Sequence, residues 1–117
     1  MMKRYIVEFG TGADLHGGDF TLAAKRAVRD AISHCCLCGV SEILDKNADE
    51  MNVHVRIGSS QPDAIDTEAV LGEVPFGTRT IESVIGGLSV RGLEVPSLGK
   101  GDTIVIVIAA LTVSFDL

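Results

Sequence analysis

Ten residues near the start of the chain have the types and spacing to do chemistry: Gly10-Thr11-Gly12-Ala13-Asp14-Leu15-His16-Gly17-Gly18-Asp19. Glycines let a backbone take positive φ and approach a ligand closely. A helix beginning just after this stretch would offer unpaired N–H groups to an anion. His16 has the chemistry of an acid, a base or a hydrogen-bond donor, and Asp14 or Asp19 could orient it. The expected ligand set is Gly12, Asp14, His16 and Asp19, with Arg56 as a further candidate because guanidinium suits carboxylate or phosphate. The competing reading is an ordinary strand-to-helix connection in which Asp19 caps the helix and the glycines turn the chain.

Several sharper chemistries fail on spacing. Gly10-x-Gly12 has no third glycine at the dinucleotide-fingerprint position, and no Gly-Lys-Ser/Thr follows for a phosphate loop. Asp14, His16 and Asp19 could give two oxygens and a nitrogen, but their spacing matches no established metal-ligand pattern. His34-Cys35-Cys36-x-Cys38 is richer in ligands. On a helix continued to this point, however, His34 and Cys35 diverge, and Cys35 falls on the apolar stripe. No metal is expected at either place. No Gly-x-Ser-x-Gly elbow supports a serine nucleophile, and Cys38 is the one cysteine expected to be exposed. Three cysteines within four positions make a poor disulfide framework, so reduced thiols are expected.

These groups must be positioned by a small set of elements. Tyr5–Phe9 reads as a buried strand whose apolar residues fill both faces except at Glu8. Phe20, Ala24, Ala27, Val28, Ala31, Ile32 and Cys35 trace one face of a long helix, with Asp19 or Thr21 as N-cap and Gly39 as its stop. Val40–Ala48 carries a weaker helical pattern. Met51–Ile57 alternates as a strand, placing His54 and Arg56 on one face, where Glu8 could join them in a polar patch. Val70–Pro75 reads as a short strand and Val90–Gly99 as a loop. Thr78–Ile85 fits either helix or strand; strand is preferred because Gly86-Gly87 would sit inside the helix at a cost of about 1 kcal/mol each. Thr103–Phe115 reads as a long strand, apolar on both faces over Ile104–Ile108, which belongs at a sheet centre or between subunits.

Composition limits what such a chain can be. Its 117 residues suit one domain spanning 1–117. Hydrophobic residues make up 46% and aromatic ones 4%, so the core must be aliphatic. A net charge of −6 argues against nucleic-acid binding and against docking on anionic membranes. The longest apolar run, Ile104–Leu111, is far short of the ~20 residues a membrane span needs. With no signal-peptide pattern, a soluble cytoplasmic protein is expected.

The sequence Tyr5-Ile6-Val7-Glu8-Phe9-Gly10-Thr11-Gly12-Ala13-Asp14-Leu15-His16-Gly17 resembles that of the small bacterial Lin-type family of conserved hypothetical proteins. Ala23-Ala24, Asp30-Ala31-Ile32, Gly86-Gly87-Leu88 and Asp102-Thr103-Ile104-Val105 continue the likeness over nearly the whole chain. That resemblance implies length and architecture and transfers no catalytic residue. At the level of fold, such units resemble the trimeric chorismate mutase and reactive-intermediate deaminase type of barrel, and the ring-opening cyclic amidohydrolases concatenate comparable ones. Fold likeness does not imply function, and no Ser/Lys pair here matches the amidohydrolase chemistry.

The resulting expectation is an α/β (α+β) fold: a mixed four- to five-stranded sheet with one long helix on one face, a chorismate-mutase/deaminase-like two-layer sandwich. One helix cannot cover both faces, so a second copy of the chain is expected on the other. A homo-oligomer follows, a trimer being the form the deaminase likeness implies. The expected function is binding of a small anionic metabolite at the Gly10–Asp19 loop. The alternatives are a small-molecule hydrolase with His16 as general acid/base at a subunit interface, and a structural oligomerisation module.

Overall fold

A computed structural model describes residues 1–117. Strand β1 (Met2–Asp14) leads into helix α1 (Phe20–Ile32) and the short helix α2 (Cys38–Glu42). Strand β2 (Asn52–Ser59), helix α3 (Thr67–Leu71), and strands β3 (Thr78–Ile85), β4 (Leu88–Arg91) and β5 (Thr103–Asp116) complete the chain. Single 3-10 turns at Ala48–Glu50 and Pro62–Ala64 flank β2.

The sheet is mixed. Its order is β1-β5-β2-β3, with β2 and β3 parallel and the other pairs antiparallel. β5 is the central strand. One edge pairs with β1 along almost its whole length, from Asp14↔Val105 to Met2↔Asp116. Its other edge is shared, β2 taking Ile108–Ser114 and β4 taking Thr103–Ile106. The chain passes from β3 to β4 over the end of β2, where the Gly86 N–H donates to the Ser59 carbonyl at 3.0 Å. The paired β1 and β5 account for a long axis of 51 Å and a radius of gyration of 15.7 Å, against about 13 Å for a compact chain of this length.

All the helices lie on one face. Ala23, Ala24, Ala27, Val28 and Ala31 bury the inner face of α1 on β1 and β5. From the sheet, Val53, Val55 and Ile57 of β2 and the odd-numbered residues Val105–Phe115 of β5 complete the core. The core is aliphatic apart from Phe115, which Tyr5 meets edge-on with ring centroids 5.9 Å apart. Arg29 of α1 makes a bidentate pair with Glu73, its Nε and Nη2 each 2.8 Å from a carboxylate oxygen.

The two-layer α+β architecture with a mixed sheet matches the expectation, and four differences have physical causes. The helical layer is three helices, one of 13 residues and two of five, instead of a single long one. β1 does not stop at Phe9, because Gly10 and Gly12 keep pairing with β5 while admitting the helix above them. Val70–Pro75 is not a strand. Asp66 accepts from the Ala69 N–H at 3.2 Å and nucleates α3, which buries Val70. Within the expected loop Val90–Gly99, Val90 and Arg91 belong to β4.

The opposite sheet face has no covering layer. It carries Val7 and Phe9 of β1, Leu88 and Val90 of β4, and Ile104, Ile106 and Ile108 of β5. Phe9 is 67% exposed and Leu88 54%.

Candidate functional site

The glycine-rich segment is mostly strand, and its geometry separates the expected ligand residues. Gly12 faces α1, and a β-carbon there would collide with the Ala23 carbonyl and the Ala27 amide. Asp14 is buried and its Oδ2 accepts the Asp19 N–H at 2.8 Å. Arg26 lies 3.8 Å from Asp14 Oδ1 and donates to the Ala13 carbonyl at 2.7 Å. Asp19 caps α1 by accepting the Leu22 N–H at 3.0 Å. Both carboxylates are therefore engaged by backbone. His16 is half-buried, with Nδ1 3.2 Å from the Leu93 carbonyl. A carbonyl only accepts, so Nδ1 carries the proton and Nε2 is left as the basic nitrogen.

The loop proper is Leu15–Asp19, with Gly17 at φ 102° and Gly18 at φ 61°. Beside it lies a polar hollow of about 440 Å³, bounded by Gly17, Gly18, Ser60, Gln61, Ser89 and Lys100 among others. Asp14, His16 and Asp19 do not line it.

Arg56 is elsewhere. β2 presents it with His54 on the open sheet face, and both reach Glu82 of β3. Arg56 Nη1 lies 2.8 Å and His54 Nε2 3.1 Å from Glu82 Oε1, while His54 Nδ1 meets Thr80 Oγ1 at 2.7 Å. The His54 hydrogen bond, followed by the Arg56 charge, holds the Glu82 carboxyl below the usual range. Glu8 does not join this patch, because its side chain faces the helices. In the register of β1 and β5, Glu8 pairs with buried Leu111, whereas Val7 and Phe9 face out.

Glu8 instead lies in the wall of a cavity of about 460 Å³ between the sheet and the segment that follows α1. Eleven of its sixteen lining residues are hydrophobic, among them Ile32, Val40, Met51, Val53, Leu111 and Val113, so the site is an apolar one. Ser41, Lys46 and Asn47 add polar groups, and Lys46 is engaged by Glu50 at 3.7 Å. Glu8 is only 8% exposed. Burial pushes its carboxyl above the usual glutamate value, and no hydrogen bond or ion pair in the protein opposes that shift. A concave apolar site of ~300–1,000 Å³ with few polar groups and a perturbed acid is the usual form of a small-molecule site.

Sequence reasoning passed over this cavity. The signal was Glu8 itself, the one charge within Tyr5–Phe9, but which face it took depended on the register. The cysteines also differ from expectation. Ser33 ends α1 by accepting helical geometry at its C-cap, its N–H donating to the Arg29 carbonyl at 3.1 Å, so Cys35 is not on the buried stripe. Cys35, Cys36 and Cys38 are all exposed and free, and Cys35 lies at the cavity wall.

Comparison with known proteins adds ancestry without an activity. A family model described as a conserved hypothetical protein (Lin0512_fam) matches residues 4–113. A crystal structure of an FtsZ-like protein of unknown function from Nostoc punctiforme is 41% identical to this chain. The match covers 99% of this chain and 98% of that one, with a TM-score of 0.90. No curated protein matches. No helix is long and apolar enough to cross a membrane.

Proposed function

The chain belongs to the Lin0512 family of conserved hypothetical proteins, and we propose that it is a small-molecule-binding protein that works as a homo-oligomer. The observation that carries the first half is the apolar cavity of about 460 Å³ containing the buried Glu8. A concave apolar pocket of this size with one buried acid has the usual form of a small-molecule site, and its walls offer apolar contact to whatever enters. Ser41 is exposed at the cavity wall, so Ser41→Trp fills the space without disturbing the core. Titration of the full chain with a fragment set, followed by NMR, tests the reading. Ligands that shift Val53, Leu111 and Val113 in the parent and fail to do so in Ser41→Trp support it. Shifts unaffected by the substitution overturn it.

The second half rests on the bare sheet face. Its apolar row from Phe9 to Leu88 is flanked by Arg56, His54 and Glu82, which neutralise one another within the chain. A second copy docking there therefore meets an apolar row whose nearest charges are paired with one another, and contiguous apolar patches of this kind mark interaction surfaces.

A second reading keeps an anionic metabolite at the start of α1, in the polar hollow beside Gly17, Gly18 and Lys100. In this reading the binding groups are backbone amides and Lys100, with Asp14 and Asp19 shaping the loop from behind. Phosphate titration of Lys100→Ala distinguishes it from the cavity reading. The hydrolase alternative, with His16 as general acid/base, requires a second acid or base at the ring, where the contact is the Leu93 carbonyl.

A further inference from the structure

We propose that the Glu8 cavity takes a protonated amine carried on an apolar body, with the Glu8 carboxylate as its counter-ion. The inference rests on the cavity reading above and deepens it by naming the ligand class.

Three observations narrow the ligand. The walls contributed by Met51, Val53, Leu111 and Val113 can only offer apolar contact, so the body of the ligand is apolar. Glu8 is more than nine-tenths buried in that wall, and its carboxylate makes no hydrogen bond or ion pair within the chain. Lys46, the other charged residue of the wall, has Glu50 as an acidic partner 3.7 Å away, whereas Glu8 has no partner of opposite charge in the chain. The charge left for a ligand to answer is thus a single negative one.

Apolar, anionic and cationic head groups fare differently there, and a neutral hydroxyl donates only an uncharged hydrogen bond. A purely apolar ligand would cover Glu8 and leave it unpaired, which costs the full desolvation penalty of a polar group. A carboxylate or phosphate would bring a like charge into a low-dielectric space. An ammonium supplies both the opposite charge and N–H donors, forming a charge-assisted hydrogen bond that is about twice as strong as a neutral one. The chain's net charge of −6 draws cations toward it as well.

Calorimetric titration of the full chain with three probes sharing one body tests the assignment: 3-phenylpropylamine, 3-phenylpropan-1-ol and 4-phenylbutanoate. The amine is expected to bind about tenfold more tightly than the alcohol, and the carboxylate more weakly than both. Glu8→Gln keeps the side-chain shape and should bring the amine down to the affinity of the alcohol, leaving the alcohol within about threefold. Equal affinity for amine and alcohol, or an amine preference that survives Glu8→Gln, overturns the ligand class while the cavity reading stands. Binding of none of the three probes overturns both. Ser41→Trp is the second variant, acting from the exposed wall, and should abolish binding of amine and alcohol together; amine binding that persists there also overturns the assignment.

Discussion

Gly10 of β1 lies directly beneath Ala27 of α1, so close that a β-carbon on Gly10 would collide with the Ala27 carbonyl and the Ala31 amide. Gly12 meets Ala23 and Ala27 in the same way one pleat further on. Two glycines on the strand and a row of alanines on the helix thus bring the two backbones together. This contact sets the height of the helical layer over the first strand.

Gly10→Ala and Gly12→Ala should each destabilise the fold by about 1–3 kcal/mol or more, the usual cost of overpacking a tight interior. Urea unfolding followed by circular dichroism measures it. Stability within about 0.5 kcal/mol of the parent, the range of ordinary surface changes, would show that the helix can rise to accommodate a methyl group.

Asp14 and Asp19 should behave as structural residues. Asp19→Ala removes the N-cap of α1 and should cost about 1 kcal/mol. Asp14→Ala leaves the Asp19 N–H without its acceptor and should cost about 1–3 kcal/mol. Loss of ligand affinity in either variant with unfolding free energy unchanged would return these residues to the binding site.

Glu8 and Glu73 should give opposite pH dependences. Burial raises the Glu8 pKa above its ordinary 4.5, so between the ordinary value and the raised one the folded state holds a proton that the unfolded state has released. Its contribution is present below the ordinary value and is lost as pH rises through the folded one. The Glu73 pKa is lowered, first by the Arg29 hydrogen bond, so its contribution is present above 4.5 and is lost as pH falls through the folded value. Unfolding free energies of Glu8→Gln and the parent, compared from about pH 4 to about pH 8, should show the variant gaining relative stability as pH rises. A difference independent of pH would mean that Glu8 titrates normally.

The bare sheet face should hold copies together. Light scattering of the parent should give a mass that is a multiple of 12.3 kDa. Phe9→Glu and Ile108→Glu place charge in the centre of the apolar row and should shift the mass to that of the monomer. A monomeric parent would remove the second copy from the proposed function.

Cys35, Cys36 and Cys38 should all react with a thiol reagent in the native state, since all three are exposed and unpaired. Protection of Cys35 alone by an amine probe would place the ligand against the same wall as Glu8.

Local chemistry made much of the fold legible. The apolar run from Ile104 reads as a central strand, the 3.6-residue spacing from Phe20 as an amphipathic helix, and Gly86-Gly87 tipped Thr78–Ile85 toward strand. Such features depend on a residue and its near neighbours. Val70–Pro75 was misread because its apolar residues suit a strand, while the capping carboxylate of Asp66 that starts α3 lies just upstream. Gly10 and Gly12 are ambiguous for a different reason: a glycine that admits a ligand and a glycine that admits a helix look alike until the helix is in place.

The candidate site depended on tertiary structure more heavily. Sequence alone determined that the chain has an aliphatic core, a mixed helix-and-strand composition and a polar, glycine-rich connection ahead of the helix. Only the folded sheet decided that Arg56 and Glu8 lie on opposite faces, because a strand's side chains alternate and the pairing of Glu8 with Leu111 selects the face. It also decided that the cavity exists, since its walls come from α1, α2, β1, β2, β5 and the turn after α3, segments far apart in the chain. A buried carboxyl acquires its chemistry from what surrounds it, and for Glu8 those surroundings are assembled only when these segments pack.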